Sequence, residues 1–151
     1  MKPDYLSENN RERERLKKLV KSLTAEELKL VIYKEGWTIA VIFAHLAFWD
    51  NYAQSLLRKW KRDGISPSHH EWDNINDSLL PLALALSPRT AANMAILTAD
   101  AVDHEIEKLS AEFVNKIESL KEPYRLNRSI HRKLHLDEIE AFLKPKRKIN
   151  S

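Results

Sequence analysis

The stretch Gly36-Trp-Thr38-Ile-Ala-Val41-Ile-Phe-Ala-His45-Leu-Ala-Phe48-Trp49-Asp50-Asn-Tyr52 decides the fold. Val41, His45, Phe48, Trp49, Tyr52, Leu56 and Trp60 recur at spacings of three and four, a stripe down one side of an α-helix. Thr38 is a good N-cap, and Trp37 before it can meet Ile42 as a hydrophobic staple. The helix is expected to run from Thr38 to about Asp63-Gly64.

Reading outward from it gives more helices. A first one is expected from Ser7, as N-cap, to about Ser22, and Thr24-Ala-Glu-Glu27 is a capping box opening a shorter helical segment from Leu28 to Tyr33. Residues 64–74 read as a loop crossing the end of the molecule, followed by a short helix from Ile75 to Leu86 that contains Pro81. Ser87-Pro88 is an N-cap followed by proline at the first helical position, starting a long helix to about Leu109. Ser110 re-caps a continuation to Leu120, Pro123 interrupts, and a last helix is expected from Asn127 to Leu143, before Pro145. No segment shows sustained strand alternation. The chain therefore predicts an all-α fold, a four-helix bundle with a short extra helix in the crossing connection. One domain is expected over residues 1–143, with a basic tail at 144–151.

Composition narrows the classes of function. The 151 residues contain no cysteine, which excludes disulfides, thiolate ligands and cysteine nucleophiles. The net charge of +3 is mostly a tail effect: the 25 basic residues, less the four in Lys144-Pro-Lys-Arg-Lys148, leave 21 against 22 acidic. No specific nucleic-acid partner is expected from such a body, and the tail reads as a solvated, frayed terminus. The N-terminal residues lack an apolar leader core and no stretch is long enough to span a bilayer, so a cytoplasmic protein with no membrane partner is expected.

The chemistry lies in the histidines. His131 and His135 are four residues apart on the expected last helix, so both rings can reach one point. His45 and this pair fall at similar depths from the starts of their helices. If the second and fourth long helices run the same way, the three meet. Three neutral imidazoles suit Zn²⁺, Ni²⁺ or a similar divalent ion and leave a position open for water or substrate. Glu138, one turn past His135, is a candidate catalytic base or an orienting partner for it. Asp50 and His104 are lesser candidates for those duties, and His104 for a fourth ligand. Other readings stand beside these: His45 as a hydrogen-bonded core residue, the pair as a surface coincidence, Glu138 as a solvated helix residue. Arg132 and Lys133 are taken to mark the solvated side, His69-His70 to be exposed, and Trp37, Trp49, Trp60 and Trp72 to be packing anchors.

The Gly36-Trp-Thr38 opening, the His45-Leu-Ala sequence on that helix, Trp72 in the crossing loop and the His131/His135 pair together resemble the DinB/YfiT-like superfamily. In that family the histidine of the second long helix and an i,i+4 pair near the start of the last one form the metal triad, matching His45, His131 and His135. The resemblance covers most of the chain. It implies a divalent-metal four-helix bundle, often a homodimer, among whose members are hydrolases and transferases or isomerases that use a low-molecular-weight thiol. The chain departs from many members in having Arg132-Lys133-Leu134 inside the pair, and no residue points to a particular thiol. The expected function is a metal-dependent S-transferase or hydrolase acting on a small molecule. The alternative is a non-catalytic helical dimer with a structural metal or with core histidines only.

Overall fold

The structure, a computed structural model, describes residues 4–149. Its main elements are helical: α1 (Asp4–Ser22), α2 (Ala25–Leu28), α3 (Ile39–Asp63), α4 (Trp72–Ala85), α5 (Pro88–Glu107), α6 (Ala111–Glu118) and α7 (Ser129–Ile149). Two short strands, β1 (Val31–Tyr33) and β2 (Trp37–Thr38), pair antiparallel, and a 3₁₀ turn covers Pro123–Arg125. The described residues are all-α apart from that hairpin. No described helix is long and apolar enough to cross a membrane.

The helix starts follow local chemistry. Thr38, Ser87 and Ser110 each accept a hydrogen bond from the backbone N–H three residues on, at 3.1, 3.2 and 3.1 Å. Thr24 and Glu27 exchange both bonds of the capping box. At the other end of α3, Gly64 takes a φ of +93°, which an L side chain rarely adopts, and donates to the Trp60 carbonyl.

Four expectations about elements are corrected. Ser7 lies inside α1, which already includes Asp4. The segment after Thr24 is helical only to Leu28; Val31–Tyr33 then pairs with Trp37–Thr38 around Gly36, which turns the chain at φ +87°. The crossing helix begins at Trp72 rather than Ile75. The last helix does not stop before Pro145 but continues to Ile149. A proline there forfeits one backbone bond and crowds the preceding turn. The extension is held nonetheless, because Arg147 pairs with Glu27 at 2.8 Å and Lys146 sits 4.8 Å from the Phe142 ring. Most of the expected tail is therefore ordered helix; residues 150–151, like residues 1–3 of the expected N-terminus, lie outside the described residues.

Contacts fix the helix directions. Asn9 of α1 meets Leu126 and Ser129, while Arg15 meets Asp137 and Glu140, so α1 and α7 run together. Arg13 bonds Asp103 whereas Arg89 reaches Val20 and Leu23, so α5 runs against α1. Asp50 meets Arg128 and Arg132 while His45 meets His131, so α3 runs against α7. That overturns the expectation that the two histidine helices run the same way. α3 and α5 are parallel, and the connection through α4 is what returns the chain to the same end.

Two apolar clusters share the interior. One gathers Leu16 and Leu19 of α1, Phe43 and Leu46 of α3, Ala95 and Ala99 of α5, and Leu136 and Ile139 of α7. The other gathers Leu57 and Trp60, Val102 and Ile106, Ile117 and Leu126. Between them every long helix contributes buried polar groups: Asn9 and Glu12, Asp50, Asp103, Arg128 and Arg132.

Candidate metal centre

His45 comes from the second turn of α3, and His131 and His135 come from the first two turns of α7. Although the helices are antiparallel, α7 begins only partway along α3, so their opening turns face each other. The ring centroids stand 4.7, 4.9 and 4.9 Å apart, close to an equilateral triangle. His45 Nε2 and His131 Nε2 are 2.8 Å apart. One ligand atom from each ring lies within 4.8 Å of the others, an arrangement that could hold a metal ion.

Burial keeps the rings neutral. It pushes His45 and His135 from the ordinary 6.5 down to about 4, with the charge of His135 adding to the effect at His45. Burial, then His45 and His135, takes His131 to about 2. Neutral rings offer lone pairs, which is the protonation state a metal needs. The donors also lack partners of their own. The buried Nδ1 atoms of His45 and His135 make no hydrogen bond. In the His45–His131 contact one Nε2 donates and one accepts, so His45 keeps an unmet nitrogen whichever tautomer it adopts. Three converging, neutral, under-partnered imidazoles are a donor set that could hold a metal ion.

The shifts predict how the metal-free protein responds to acid. Below pH 6.5 the unfolded chain binds protons on these rings that the folded chain refuses, so stability falls with pH from about 6.5 toward 4. Chemical unfolding of chelator-treated protein at pH 7 and pH 5 should show that decline, reduced in His131→Gln. A wild type and variant declining equally would refute it.

The histidines line an open groove of about 1460 Å³. Trp37 of the hairpin packs edge-on against His45 at 5.3 Å. Trp49 donates to Asn76 and lies tilted against Trp72, the rings 4.6 Å apart. Of the four tryptophans, Trp60 and Trp49 are the buried anchors expected, while Trp72 is 41% exposed in the groove. His69 is exposed as expected; His70 is half-buried between Tyr52 and Trp72, its Nε2 accepting from Arg125 at 2.9 Å. Arg125 is itself buried, paired with Glu122 at 3.0 Å and lying over the Tyr124 and Trp72 rings.

Among the other expected site residues, Glu138 lies behind the centre: its Oε1 is 3.9 Å from His135 Nδ1, and burial pushes its carboxyl up. It is absent from the lining of the groove. Asp50 is buried five residues past His45 and is fully engaged by Arg128 and Arg132. His104 is exposed on α5 and is not one of the converging histidines. Arg132, expected on the solvated side, is instead completely buried. Its guanidinium forks onto Asp103 at 2.7 and 2.8 Å and onto Asp50 at 3.2 Å, and donates to the Asn9 carbonyl. Lys133 next to it does face solvent.

No family model, curated protein or solved structure matches the chain.

Proposed function

We propose that the chain is a metal-dependent enzyme of the DinB/YfiT-like type, a four-helix bundle in which His45, His131 and His135 hold a divalent ion. The convergence of these three neutral rings on the wall of a wide groove carries the reading. A divalent ion on three imidazoles keeps a coordination position open and supplies Lewis acidity. The reaction we favour is S-transfer from a low-molecular-weight thiol, with hydrolysis as the other outcome. With no cysteine in the chain, a sulfur nucleophile has to arrive with the co-substrate.

The residues around the rings have separable roles in this proposal. Trp37 fixes the His45 ring, and the exposed apolar pair Ile130 and Leu134 gives the groove a non-polar side next to His131. Glu138 serves as a positioning residue, accepting a hydrogen bond from the Nδ1–H of His135 after a small movement from 3.9 Å. A homodimer and a cytoplasmic setting belong to the proposal as well.

Metal analysis of untagged protein, offered zinc, nickel and manganese and then dialysed, tests the centre. A single ion per chain is expected. Glu138→Gln should retain the ion but bind it about 10–100-fold more weakly, as loss of an orienting partner does. A wild type that stays metal-free sinks the proposal. A loaded protein that turns over neither thiol-plus-electrophile pairs nor esters sinks the enzymatic part.

A further inference from the structure

The groove is far larger than three imidazoles require, and its lining is uneven in two ways. It is aromatic: Tyr33 and Trp37 come from the hairpin, Trp49 from α3, Trp72 from α4 and Tyr124 from the 3₁₀ turn. Trp72 is held in place while exposed, by His70 at 4.1 Å, Trp49 at 4.6 Å and Tyr124 at 5.8 Å. It thus keeps ring surface open to a ligand.

The acidic groups of the lining are also less fully paired than the basic ones. Arg125 and Arg128 are buried and answered by Glu122 and Asp50, and Lys133 is tied to Asp137 at 2.7 Å. Arg11 lies 3.7 Å from Glu12. By contrast Glu35, Asp73 and Asp77 line the groove, are exposed and make no salt bridge among the described residues. Asp73 and Asp77 sit one turn apart on α4, beside Trp72 and on either side of Asn76, which holds Trp49. Independently of these carboxylates, His45, nine-tenths buried, lines the same groove and has an Nδ1 without a hydrogen-bond partner.

We infer that the groove binds a small organic cation carrying an aromatic or apolar body, which stacks on Trp72 and Trp49 and directs its ammonium group to Asp73 and Asp77. Aromatic faces and unpaired carboxylates attract the same ligand, because the ring quadrupole and the carboxylate charge both favour a cation. A carboxylate ligand of the same shape meets repulsion from three unanswered acidic groups. The inference deepens the metal-enzyme proposal by naming a substrate class, and it rests on that proposal only in treating the groove as the substrate site.

The test compares 2-phenylethylammonium, 3-phenylpropanol and 3-phenylpropionate by tryptophan-fluorescence titration of the full chain. It is run zinc-loaded, and also metal-free, so that a carboxylate gains nothing from an ion. In the metal-free chain the ammonium ligand should bind about tenfold more tightly than the carboxylate, the sum of several modest surface-charge effects. The Asp73→Asn/Asp77→Asn double variant should lose most of that preference with zinc content and thermal unfolding unchanged. Trp72→Ala should weaken the ammonium ligand and the alcohol alike. Equal or tighter carboxylate binding, no binding of the ammonium ligand, an intact preference in the double variant, or an indifferent Trp72→Ala overturns the inference. A chain that holds zinc without the preference refutes this inference alone; one that shows the preference without holding zinc refutes the metal reading alone.

Discussion

Arg132→Met should cost about 3–5 kcal/mol of folding stability, the penalty for removing one partner from a buried ion cluster. The side chain is wholly buried and makes forked bonds to Asp103 and further bonds to Asp50. Methionine fills much of the volume but leaves the cluster with both carboxylates and less positive charge. Arg128 still answers Asp50 at 2.8 Å and Arg13 still reaches Asp103 at 3.2 Å, so the chain need not unfold outright. Urea unfolding read by circular dichroism measures the loss. The deficit should shrink as the pH is lowered, because protonation then removes the unanswered negative charge. Arg132→Lys should fall between, since an ammonium keeps the charge but cannot form the planar fork. A loss below about 1 kcal/mol, the size of a surface pair, would show that the cluster is not the dry one described.

Zinc should stabilise the wild type by about 2.7 kcal/mol when supplied at about a hundred times its dissociation constant, the linkage expected of a ligand that binds only the folded chain. His45→Ala, His131→Ala and His135→Ala should each abolish most of that gain. His104→Ala should keep it, because that ring is exposed and apart from the three that converge. Zinc that stabilises the triple alanine variant as much as the wild type would place the ion elsewhere.

Much of the architecture is legible in the sequence because helix starts are local. Thr24, Thr38, Ser87 and Ser110 announce themselves by residue type and by the few residues after them, and all four cap their helices. The histidine triad is legible as residues but not as a geometry. Similar depth suggests convergence through parallel helices, whereas the actual helices are antiparallel and meet because α7 starts partway along α3. The β1–β2 hairpin is hidden from the sequence because a three-residue strand is too short to show alternation. Arg132 misleads because a charge beside Lys133, between two histidines, suggests solvent. The signal lies on other helices: Asp50 and Asp103 sit in apolar stripes, and carboxylates facing a core demand a cation.

The polar layer between the two apolar clusters has one more consequence, for alignment rather than strength. Hydrophobic stripes tolerate a slide of one helical turn, since one aliphatic residue replaces another. Asp50 does not. Moving α3 by a turn would bring Leu46 or Gln54 opposite Arg128 and Arg132, and neither carries a negative charge. Away from water, Arg128 would then lose its carboxylate partner and Arg132 would keep only Asp103, a cost no repacking of leucines recovers. The layer acts as an index mark between α3 and α7. The same mark sets His45 level with His131 and His135, so a chain that folds at all folds with its three imidazoles in line.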